Sequence, residues 1–557
     1  MQIVKSSALW LACALLGCQE PGVVVDVDTA DHQAIAGAVK LVGTVTAGDL
    51  TDTFDVKDAH GRFLVPPPVQ RFELVFTAAN RGLAATLVVQ AVDAGGAPLV
   101  VGQAAFNTGQ SQAVELVLGP VVGDMSPVCT VDGQTDVGCG GSSCPPCAVD
   151  EKCVLPSDCR TNSCVGGVCA RAELSWVAVA PLPLGRSNLA AVQTSDGRLW
   201  AIGGFHTGAS PQAERAEVDR YDPFADQWTA EAPLKKPRAG PCAAPLPGGG
   251  IAVAGGYVDN SGIASNSVEY YDATAKTWTL GTHNLNQGRS GAAMAQLGGG
   301  LLVFGGETDN VPPVSSVASV ETTAAPVSAT SQWAAGTAMA RGLELFAAVS
   351  FAGNAVVLGG NSTTDGNAWE PVVSTWSGTA WADEGAVLAT GRNGHAAVVA
   401  ADGRIFVAGG NVSPGVVTGS VETYDAVLRS WSAMKAQLRA RDRLAAALGP
   451  DGRVYVIGGS NNGVEVGYVD AYGPTIAFAP ASPAAGTMVT VSGSNFAPHA
   501  PVTLSLAGTS SAIANGVADG SGNLSGVTFS APPSGSYVVR AVDDFSLYPV
   551  TRPLVVN

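Results

Sequence analysis

Eight of the eleven cysteines fall within a stretch of 41 residues, where closely spaced thiols can form disulfides, bind zinc or carry out redox exchange. The C-x-x-C pair Cys144 and Cys147 suits zinc or a redox centre, but the stretch holds no histidine and little apolar sequence for a core. Disulfides are therefore the favoured interpretation, with their pairing left open, and residues 126–171 are predicted to form a disulfide-rich module. The eight are Cys129, Cys139, Cys144, Cys147, Cys153, Cys159, Cys164 and Cys169.

Cys18 is a thiol of another kind, because it ends an export-type segment. One positive charge within residues 1–5 precedes a nine-residue apolar run at 8–16, which predicts a signal peptide over residues 1–17. The ending Leu-Leu-Gly-Cys at 15–18 resembles the lipobox of bacterial lipoproteins, which implies that Cys18 becomes the acylated N-terminus. An ordinary secretory signal with an incidental cysteine is the alternative.

The same resemblance gives an expected location. Gln19 follows the cysteine, and a residue other than aspartate there implies sorting to the outer membrane. Several acyl chains hold a protein firmly, whereas one binds only marginally. We therefore expect membrane attachment through an N-terminal lipid anchor, at the cell surface or facing the periplasm.

Candidate catalytic side chains are sparse. The sequence contains no H-E-x-x-H motif and no G-x-S-x-G motif, and its six histidines are scattered. Neither a metal nor a cofactor nor a catalytic set is therefore predicted, and the expectation is that the protein is not an enzyme. The histidines are His32, His60, His206, His283, His395 and His499.

Composition excludes several classes of protein. Of 557 residues, 46% are hydrophobic and 13% are charged, about half the usual charged share, which excludes a solvated disordered chain. A net charge of -17 without a basic stripe excludes nucleic acid as a partner. The 69 glycines and 34 prolines among many valines and threonines indicate short strands joined by tight turns, so the fold class is all-β.

Internal repetition dominates the middle of the chain. Six apolar strands each end in a diglycine, whose first glycines stand at 203, 255, 305, 359, 409 and 458, so the intervals are 52, 50, 54, 50 and 49. One arginine precedes each strand and one tryptophan accompanies each unit, with Tyr-Asp pairs at 221–222, 271–272 and 424–425. The arginines are Arg186, Arg238, Arg289, Arg341, Arg392 and Arg441, and the tryptophans are Trp176, Trp228, Trp278, Trp333, Trp381 and Trp431.

These units resemble the kelch repeat. The resemblance implies a six-bladed β-propeller over residues 172–474, each blade a four-stranded antiparallel sheet. Because Trp176 precedes the first unit and the sixth lacks its own tryptophan, residues 174–180 are expected to supply the outer strand of the last blade. The arginines are expected to pair with acidic residues of their own blades, and a shared anion site is the alternative.

The segments on either side of the repeats are predicted to form β-sandwiches. Period-two runs between turns predict an immunoglobulin-like stalk over residues 18–125. Residues 475–557 resemble the immunoglobulin-like domains that follow bacterial propellers.

A propeller followed by such a domain also resembles galactose oxidase, a copper enzyme. Cys242, four residues after Arg238, matches the cross-linked cysteine of that family. Its tyrosine partner is replaced by Gly291, and the family's Tyr-His pair by Arg443-Leu444, so copper would lack ligands. Cys242 is expected to be a small buried hydrophobe.

The loops after the diglycines are neutral and rich in Asn, Ser, Thr and Gly, which favours polar neutral partners. The sequence therefore predicts a surface lipoprotein whose propeller binds an extracellular or envelope protein or glycan without catalysis. A carbohydrate-active enzyme of galactose oxidase-like or sialic acid mutarotase-like type is the alternative, although no concentrated acid–base set is evident in the sequence. The predicted ligand face comprises Phe205, His206, Tyr257, Asn361, Asn411 and Asn461.

Overall fold

The computed structural model describes two compact units, residues 1–170 and 171–557, each in part. Residues 1–21, with the predicted signal peptide and Cys18, lie outside the described residues, as do Cys129, Cys139 and Cys144. In the first unit the described residues are the strands given below and 147–149, 151–154, 156–165 and 168–170. In the second they are all except 209–212, 260, 310–315, 363–367, 379, 384–387, 426–429, 435–437 and 510.

The first unit contains one seven-stranded sheet in the order β3-β2-β5-β6-β7-β1-β4. Strands β1 and β7 are parallel, and the other neighbours are antiparallel. This pairing does not establish two facing sheets, so the immunoglobulin-like stalk stays a prediction. The strands are β1 (Gly22–Thr29), β2 (Lys40–Ala47), β3 (Leu50–Val56), β4 (Gln70–Val75), β5 (Ala84–Val92), β6 (Pro98–Asn107) and β7 (Gln112–Pro120).

The cysteine-rich segment is held by disulfides. Cys153 is bonded to Cys164, and Cys159 to Cys169, so two disulfides join residues 153–159 to the hairpin of β8 (Cys164–Val165) and β9 (Val168–Cys169). Cys147 is also disulfide-bonded. A 3-10 turn at Pro156–Asp158 completes the described part. The disulfide interpretation is confirmed for these five cysteines.

Six four-stranded antiparallel sheets follow, one for each sequence repeat, and we number them repeat sheets one to six. Sheet one contains β11 (Ala190–Gln193), β12 (Leu199–Ile202), β13 (Val218–Asp222) and β14 (Gln227–Ala230). Sheet two contains β15 (Cys242–Pro245), β16 (Ile251–Ala254), β17 (Val268–Asp272) and β18 (Thr277–Leu280), with a 3-10 turn at Pro247–Gly249. Sheet three contains β19 (Ala293–Leu297), β20 (Gly300–Phe304), β21 (Val320–Thr323) and β22 (Ala334–Ala335).

Sheets four to six have the same order but carry small hairpins after their diglycines. Sheet four is β23 (Ala347–Phe351), β24 (Asn354–Leu358), β27 (Val373–Trp376) and β28 (Trp381–Asp383), with hairpin β25 (Asn361–Ser362) and β26 (Ala368–Trp369). Sheet five is β29 (Ala396–Val399), β30 (Ile405–Ala408), β33 (Val421–Asp425) and β34 (Ser430–Ala433), with hairpin β31 (Asn411–Ser413) and β32 (Val416–Val417). Sheet six is β35 (Ala445–Leu448), β36 (Val454–Ile457), β39 (Val469–Tyr472) and β10 (Trp176–Ala178), with hairpin β37 (Ser460–Asn461) and β38 (Val464–Glu465).

The sixth sheet takes its fourth strand from the other end of the repeat region. Strand β10 is antiparallel to β39, with Trp176 opposite Tyr472 and Val177 opposite Ala471. The two aromatic rings lie 5.2 Å apart. This pairing, predicted from the position of Trp176, is confirmed.

Backbone contacts link the repeat sheets in cyclic order. The first strand of each sheet packs against the first strand of the next, and β35 packs against β11. The second glycine of each diglycine donates its N–H to a carbonyl of the following unit, as Gly204 does to Arg238, and Gly459 returns to Arg186, over distances of 2.7–2.9 Å. The first glycine must be a glycine: at Gly255, φ is +73° and a Cβ would lie 2.3 Å from the Arg289 carbonyl oxygen.

A second cycle of backbone hydrogen bonds joins six residues, each two positions after a residue whose carbonyl accepts from a diglycine. Each member donates its N–H to the carbonyl of the preceding member, and the first donates to the last, over 2.6–3.3 Å. All six members have φ between 50° and 69°. They are Asn188, Gly240, Gly291, Leu345, Gly394 and Arg443, and we call them the inner ring.

Aromatic side chains fill the space between neighbouring sheets. Trp278 of sheet two is 2% exposed, packs in one cluster with residues of sheet one, and donates its indole N–H to the carbonyl of Ala232 at 2.9 Å. Trp200 of sheet one packs against Tyr271 of sheet two, with ring centroids 5.0 Å apart and ring planes tilted by 59°. These aromatic side chains are therefore part of the core between the sheets.

The C-terminal residues form two facing sheets around a shared core that includes Val491, Leu504 and Val539. This domain packs on the repeat region in the same compact unit, where the Tyr548 hydroxyl donates to the Gly452 carbonyl at 3.0 Å. No helix among the described residues is long and apolar enough to cross a membrane. One sheet contains β40 (Thr475–Ala479), β41 (Met488–Ser494) and β44 (Leu524–Ser530), and the other β42 (Pro501–Leu506), β43 (Ala512–Val517), β45 (Gly535–Asp543) and β46 (Pro549–Val556).

Candidate functional site

The residue directly after each diglycine reaches one face of the repeat region, which we call the diglycine face. Each forms a β-bridge with the residue that directly precedes an inner-ring member. The six bridges are Ser187–Phe205, Ala239–Tyr257, Ser290–Glu307, Glu344–Asn361, Asn393–Asn411 and Asp442–Ser460. The same backbone geometry therefore presents twelve different side chains around the inner ring.

Four of the six predicted face residues belong to these bridges: Phe205, Tyr257, Asn361 and Asn411. His206 and Asn461 lie one position further along the chain. The Nδ1 atom of His206 is 2.8 Å from the Gly185 carbonyl oxygen, and the Asn461 side chain accepts a hydrogen bond from Asn462.

Sequence reasoning missed Glu307 and Ser460, which complete the set. Glu307 directly follows Gly306, so its position in the third repeat was sufficient to find it. Glu344 had no such signal, because the fourth repeat departs from the pattern. Leu343, not Arg341, supplies the carbonyl that accepts from Gly306, so Arg341 stands two residues out of register.

A cavity of about 490 Å³ opens on the diglycine face beside units four to six. Of the six predicted residues, Asn411 lines it. Its wall combines an indole ring, three side-chain amides, one carboxyl group and one guanidinium. The lining residues are Leu345, Trp369, Asn393, Gly394, Asn411, Gly415, Val417, Asp442, Arg443, Ser460, Asn462 and Gly463.

Side-chain amides on this face are oriented by carboxylates. Asn411 donates through Nδ2 to Asp442 at 2.7 Å, and Asn361 donates through Nδ2 to Glu344 at 2.8 Å. Three oxygens are left buried with no hydrogen bond from an N–H or hydroxyl group of the described residues: Oδ1 of Asn361, Oδ1 of Asn393 and Oε2 of Glu344. An unsatisfied buried polar group costs roughly 1–3 kcal/mol, so these oxygens indicate a place where a ligand or water donates.

Next to the cavity, the carboxyl groups of Glu307 and Glu344 are in hydrogen-bond contact, and Glu344 is only 5% exposed. Burial and the neighbouring Glu344 raise the pKa of Glu307 to about 9. The Tyr257 hydroxyl lies beside them, and burial followed by the charge of Glu307 raises the pKa of Tyr257 well above its usual value. This pair of carboxyl groups was not evident in the sequence, because the two glutamates come from different repeats.

The repeat arginines are structural. They pair with acids of their own sheets: Arg186 with Asp219 at 2.6 Å, Arg238 with Glu269 at 3.0 Å, Arg289 with Glu321 at 2.8 Å, Arg392 with Glu422, and Arg441 with Asp470 at 2.6 Å. These five arginine side chains are at most 1% exposed, which removes them from any shared anion site. Arg341 is 29% exposed and lies 3.2 Å from Glu370.

Two residues with potentially reactive side chains, Cys242 and His395, are buried. Cys242 begins β15, and burial raises the pKa of its thiol to about 12, so the thiol stays protonated. His395 is 4% exposed, and burial followed by the charge of Arg392 lowers its pKa to about 3. Both side chains pack in the interior, which the sequence predicted for Cys242.

Comparison with known proteins finds similarity among solved structures. No protein-family model matches the chain, and no curated protein matches it. A solved structure titled "Structure of YjhT" is similar over 54% of this chain and 96% of that chain, with 15% sequence identity and a TM-score of 0.44.

Proposed function

We propose that the six repeat sheets are the blades of a kelch-type propeller and that its diglycine face binds a carbohydrate without catalysis. Two cycles of backbone hydrogen bonds, closed by Gly459 on Arg186 and by Asn188 on Arg443, support the propeller. A rigid ring of this kind holds loop side chains in defined positions, which a binding site requires.

The cavity is the observation that carries the proposal. A sugar presents apolar C–H faces together with hydroxyl groups that both donate and accept hydrogen bonds. Trp369 offers a ring for the C–H face, and the amides of Asn393, Asn411 and Asn462 both donate and accept. A volume of about 490 Å³ accommodates a small oligosaccharide and lies within the usual range of ligand pockets.

Charge narrows the ligand class. Asp442 lines the cavity with Arg443 as its cation, and Glu344, which contacts Glu307, directly precedes the lining residue Leu345. Acidic groups outnumber basic ones, so a neutral or cationic ligand is favoured over an anionic one. Nucleic acid is disfavoured for the same reason.

The setting we propose is the bacterial envelope. The Leu-Leu-Gly-Cys ending at 15–18 supports acylation of Cys18, and Gln19 supports the outer membrane. The disulfides Cys153–Cys164 and Cys159–Cys169 agree with an oxidising compartment. An envelope or extracellular glycan, or a glycosylated protein, is then the partner.

A second candidate function, a carbohydrate-active enzyme, is favoured by the contact between Glu307 and Glu344. Two carboxyls that share a proton offer one acid and one base. Glycoside hydrolases hold their two carboxyls at least about 5 Å apart, so contact between them suits proton transfer at a sugar hydroxyl better than hydrolysis. Binding without turnover remains our first proposal.

Calorimetric titration of the ectodomain, residues 19–557, with a panel of neutral and amino oligosaccharides tests the proposal. Trp369→Ala and Asn411→Ala should each weaken binding by about tenfold or more, and Asn515→Ala, on the exposed part of β43, should not. If all three variants bind like the parent, the cavity is not the site. If the bound sugar is chemically altered, the proposal of a carbohydrate-active enzyme replaces that of binding without catalysis.

A further inference from the structure

One corner of the diglycine face combines acceptors that lack donors. Glu344 is buried, its Oε1 accepts from Asn361, and apart from the proton that its carboxyl shares with Glu307 its Oε2 has no donor among the described residues. The Oδ1 atom of Asn361, on the same amide, is also without a donor there. Glu307 adds its carboxyl, and the Tyr257 hydroxyl lies beside it. We call Tyr257, Glu307, Glu344 and Asn361 the acceptor corner.

The acceptor corner lies in a negative surrounding. The charges of Glu307, Glu344 and Asp309 help to raise the pKa of Tyr257, and the charge of Arg443 opposes the raised pKa of Glu307. Because the two glutamates share a proton, the pair holds one negative charge. The Arg443 side chain is 45% exposed and stands 3.9 Å from Asp442, whose negative charge partly compensates that of the guanidinium. A cationic ligand group would therefore be stabilised here, whereas an anionic one would be repelled.

We propose that the acceptor corner binds the ammonium group of an amino sugar whose amine is free. This inference rests on the proposed function and names the sugar class that the cavity takes. An ammonium group carries three hydrogen-bond donors and no acceptor, so on binding it would replace the proton that Glu307 and Glu344 share and donate to Oε2 of Glu344, Oδ1 of Asn361 and the Glu307 carboxyl. The Tyr257 ring adds an aromatic surface to which a cation is attracted.

The remainder of the sugar then lies in the cavity. Leu345, next in sequence to Glu344, lines the cavity. Asn361 pairs with Trp369 across the hairpin of β25 and β26, and Trp369 is another lining residue. A ligand whose ammonium contacts Glu344 thus places its ring beside the indole and its hydroxyls towards Asn393 and Asn411.

A divalent cation fits the same corner less well. Calcium takes six to eight oxygen ligands, with several carboxylates among them. Within the described part of the chain, a cluster of three or more potential metal ligands occurs at Cys153, Cys159 and Cys169 and not at this corner. Two carboxyls and one amide oxygen match an ammonium group in number and in charge.

The test compares two ligands that differ at the amine. The ectodomain, residues 19–557, is titrated by calorimetry with a glucosamine tetramer and with the N-acetylglucosamine tetramer, in which acetylation removes the charge. We expect the glucosamine tetramer to bind about tenfold more tightly, because hydrogen bonds to a charged group contribute about 1.5–3 kcal/mol. Glu344→Gln should remove this preference and change binding of the acetylated tetramer by less than about twofold.

Matched controls separate the outcomes. Asp259→Asn removes one charge from a fully exposed residue on the same face and should keep the preference. Equal binding of both tetramers to the parent protein overturns the ammonium site and leaves the carbohydrate proposal intact. If neither tetramer binds, or if other sugars bind only at residues outside the cavity, both proposals are overturned. Calcium that raises the melting temperature of the parent but not of Glu344→Gln would assign the corner to a metal instead. Displacement of the glucosamine tetramer by equimolar free lysine would show that the corner does not select sugars.

Discussion

The backbone N–H of Asn188 donates to the carbonyl oxygen of Arg443 at 2.8 Å, which joins the first repeat to the last. Asn188 stands where other repeats have Gly240, Gly291 and Gly394, and like them it adopts a positive φ, of 50°. Asparagine tolerates this conformation better than most residues. The cycle is therefore complete although two of its other members, Leu345 and Arg443, are residue types that disfavour it.

Closure of the cycle of repeat sheets also depends on strand β10, and substitution of Trp176 tests this. Trp176→Ala removes the ring that packs against Tyr472 and should lower the free energy of unfolding by about 2–4 kcal/mol, as measured by urea denaturation. Val177→Ala is the control, because that side chain is 42% exposed on the same strand and should cost about 1 kcal/mol or less. Equal effects of the two variants would mean that Trp176 does not secure the sixth sheet.

The ion pair of Arg238 and Glu269 is expected to be sensitive to loss of one partner. Both side chains are fully buried, so Arg238→Met leaves an uncompensated carboxylate and should destabilise by about 3–5 kcal/mol. Arg341→Met, at the partly exposed and out-of-register position, should cost about 1 kcal/mol or less. Thermal unfolding of the two variants in parallel measures the difference, and a larger loss from Arg341→Met would contradict the register we describe.

The pH dependence of stability should report on Glu307. Its pKa is raised to about 9 in the folded protein from an ordinary 4.5, so between these values the unfolded chain has released a proton that the folded protein retains. The folded state consequently loses stability as pH rises through this window. Glu307→Gln, which mimics the protonated group, should melt at a higher temperature than the parent at pH 8 and at a similar temperature at pH 4. The opposite order at pH 8 would exclude a shared proton.

Membrane attachment should depend on Cys18. A Cys18→Ala variant should move from the membrane pellet to the soluble fraction after cell disruption, because the sulfur is the proposed site of acylation. Cys242→Ala is the matched control, since that buried thiol plays no part in anchoring, and it should remain in the pellet. A Cys18→Ala protein that still pellets, with Cys242→Ala folded and attached, would contradict the lipid anchor.

The local sequence pattern was sufficient to predict much of the structure of the repeat region. Residues at fixed spacing predicted three features: the strands that end in diglycines, the arginines that pair with acids of the same sheet, and the outer strand that contains Trp176. Each of these features repeats or lies within one unit, so a period of about 50 residues reveals it. The face after the diglycines was predictable for the same reason, since Phe205 and Tyr257 hold equivalent positions.

The contact between Glu307 and Glu344 was decided by tertiary structure. Each glutamate belongs to a different repeat, and Glu344 stands at a shifted position because Leu343 replaces the repeat arginine. Which side chains meet across the inner ring depends on how neighbouring sheets pack, and a repeat period carries no information on that. The sequence by itself thus determined the repeating backbone and the location of the face. The tertiary structure decided which polar groups share a cavity, because burial and charge act between units that are distant in sequence.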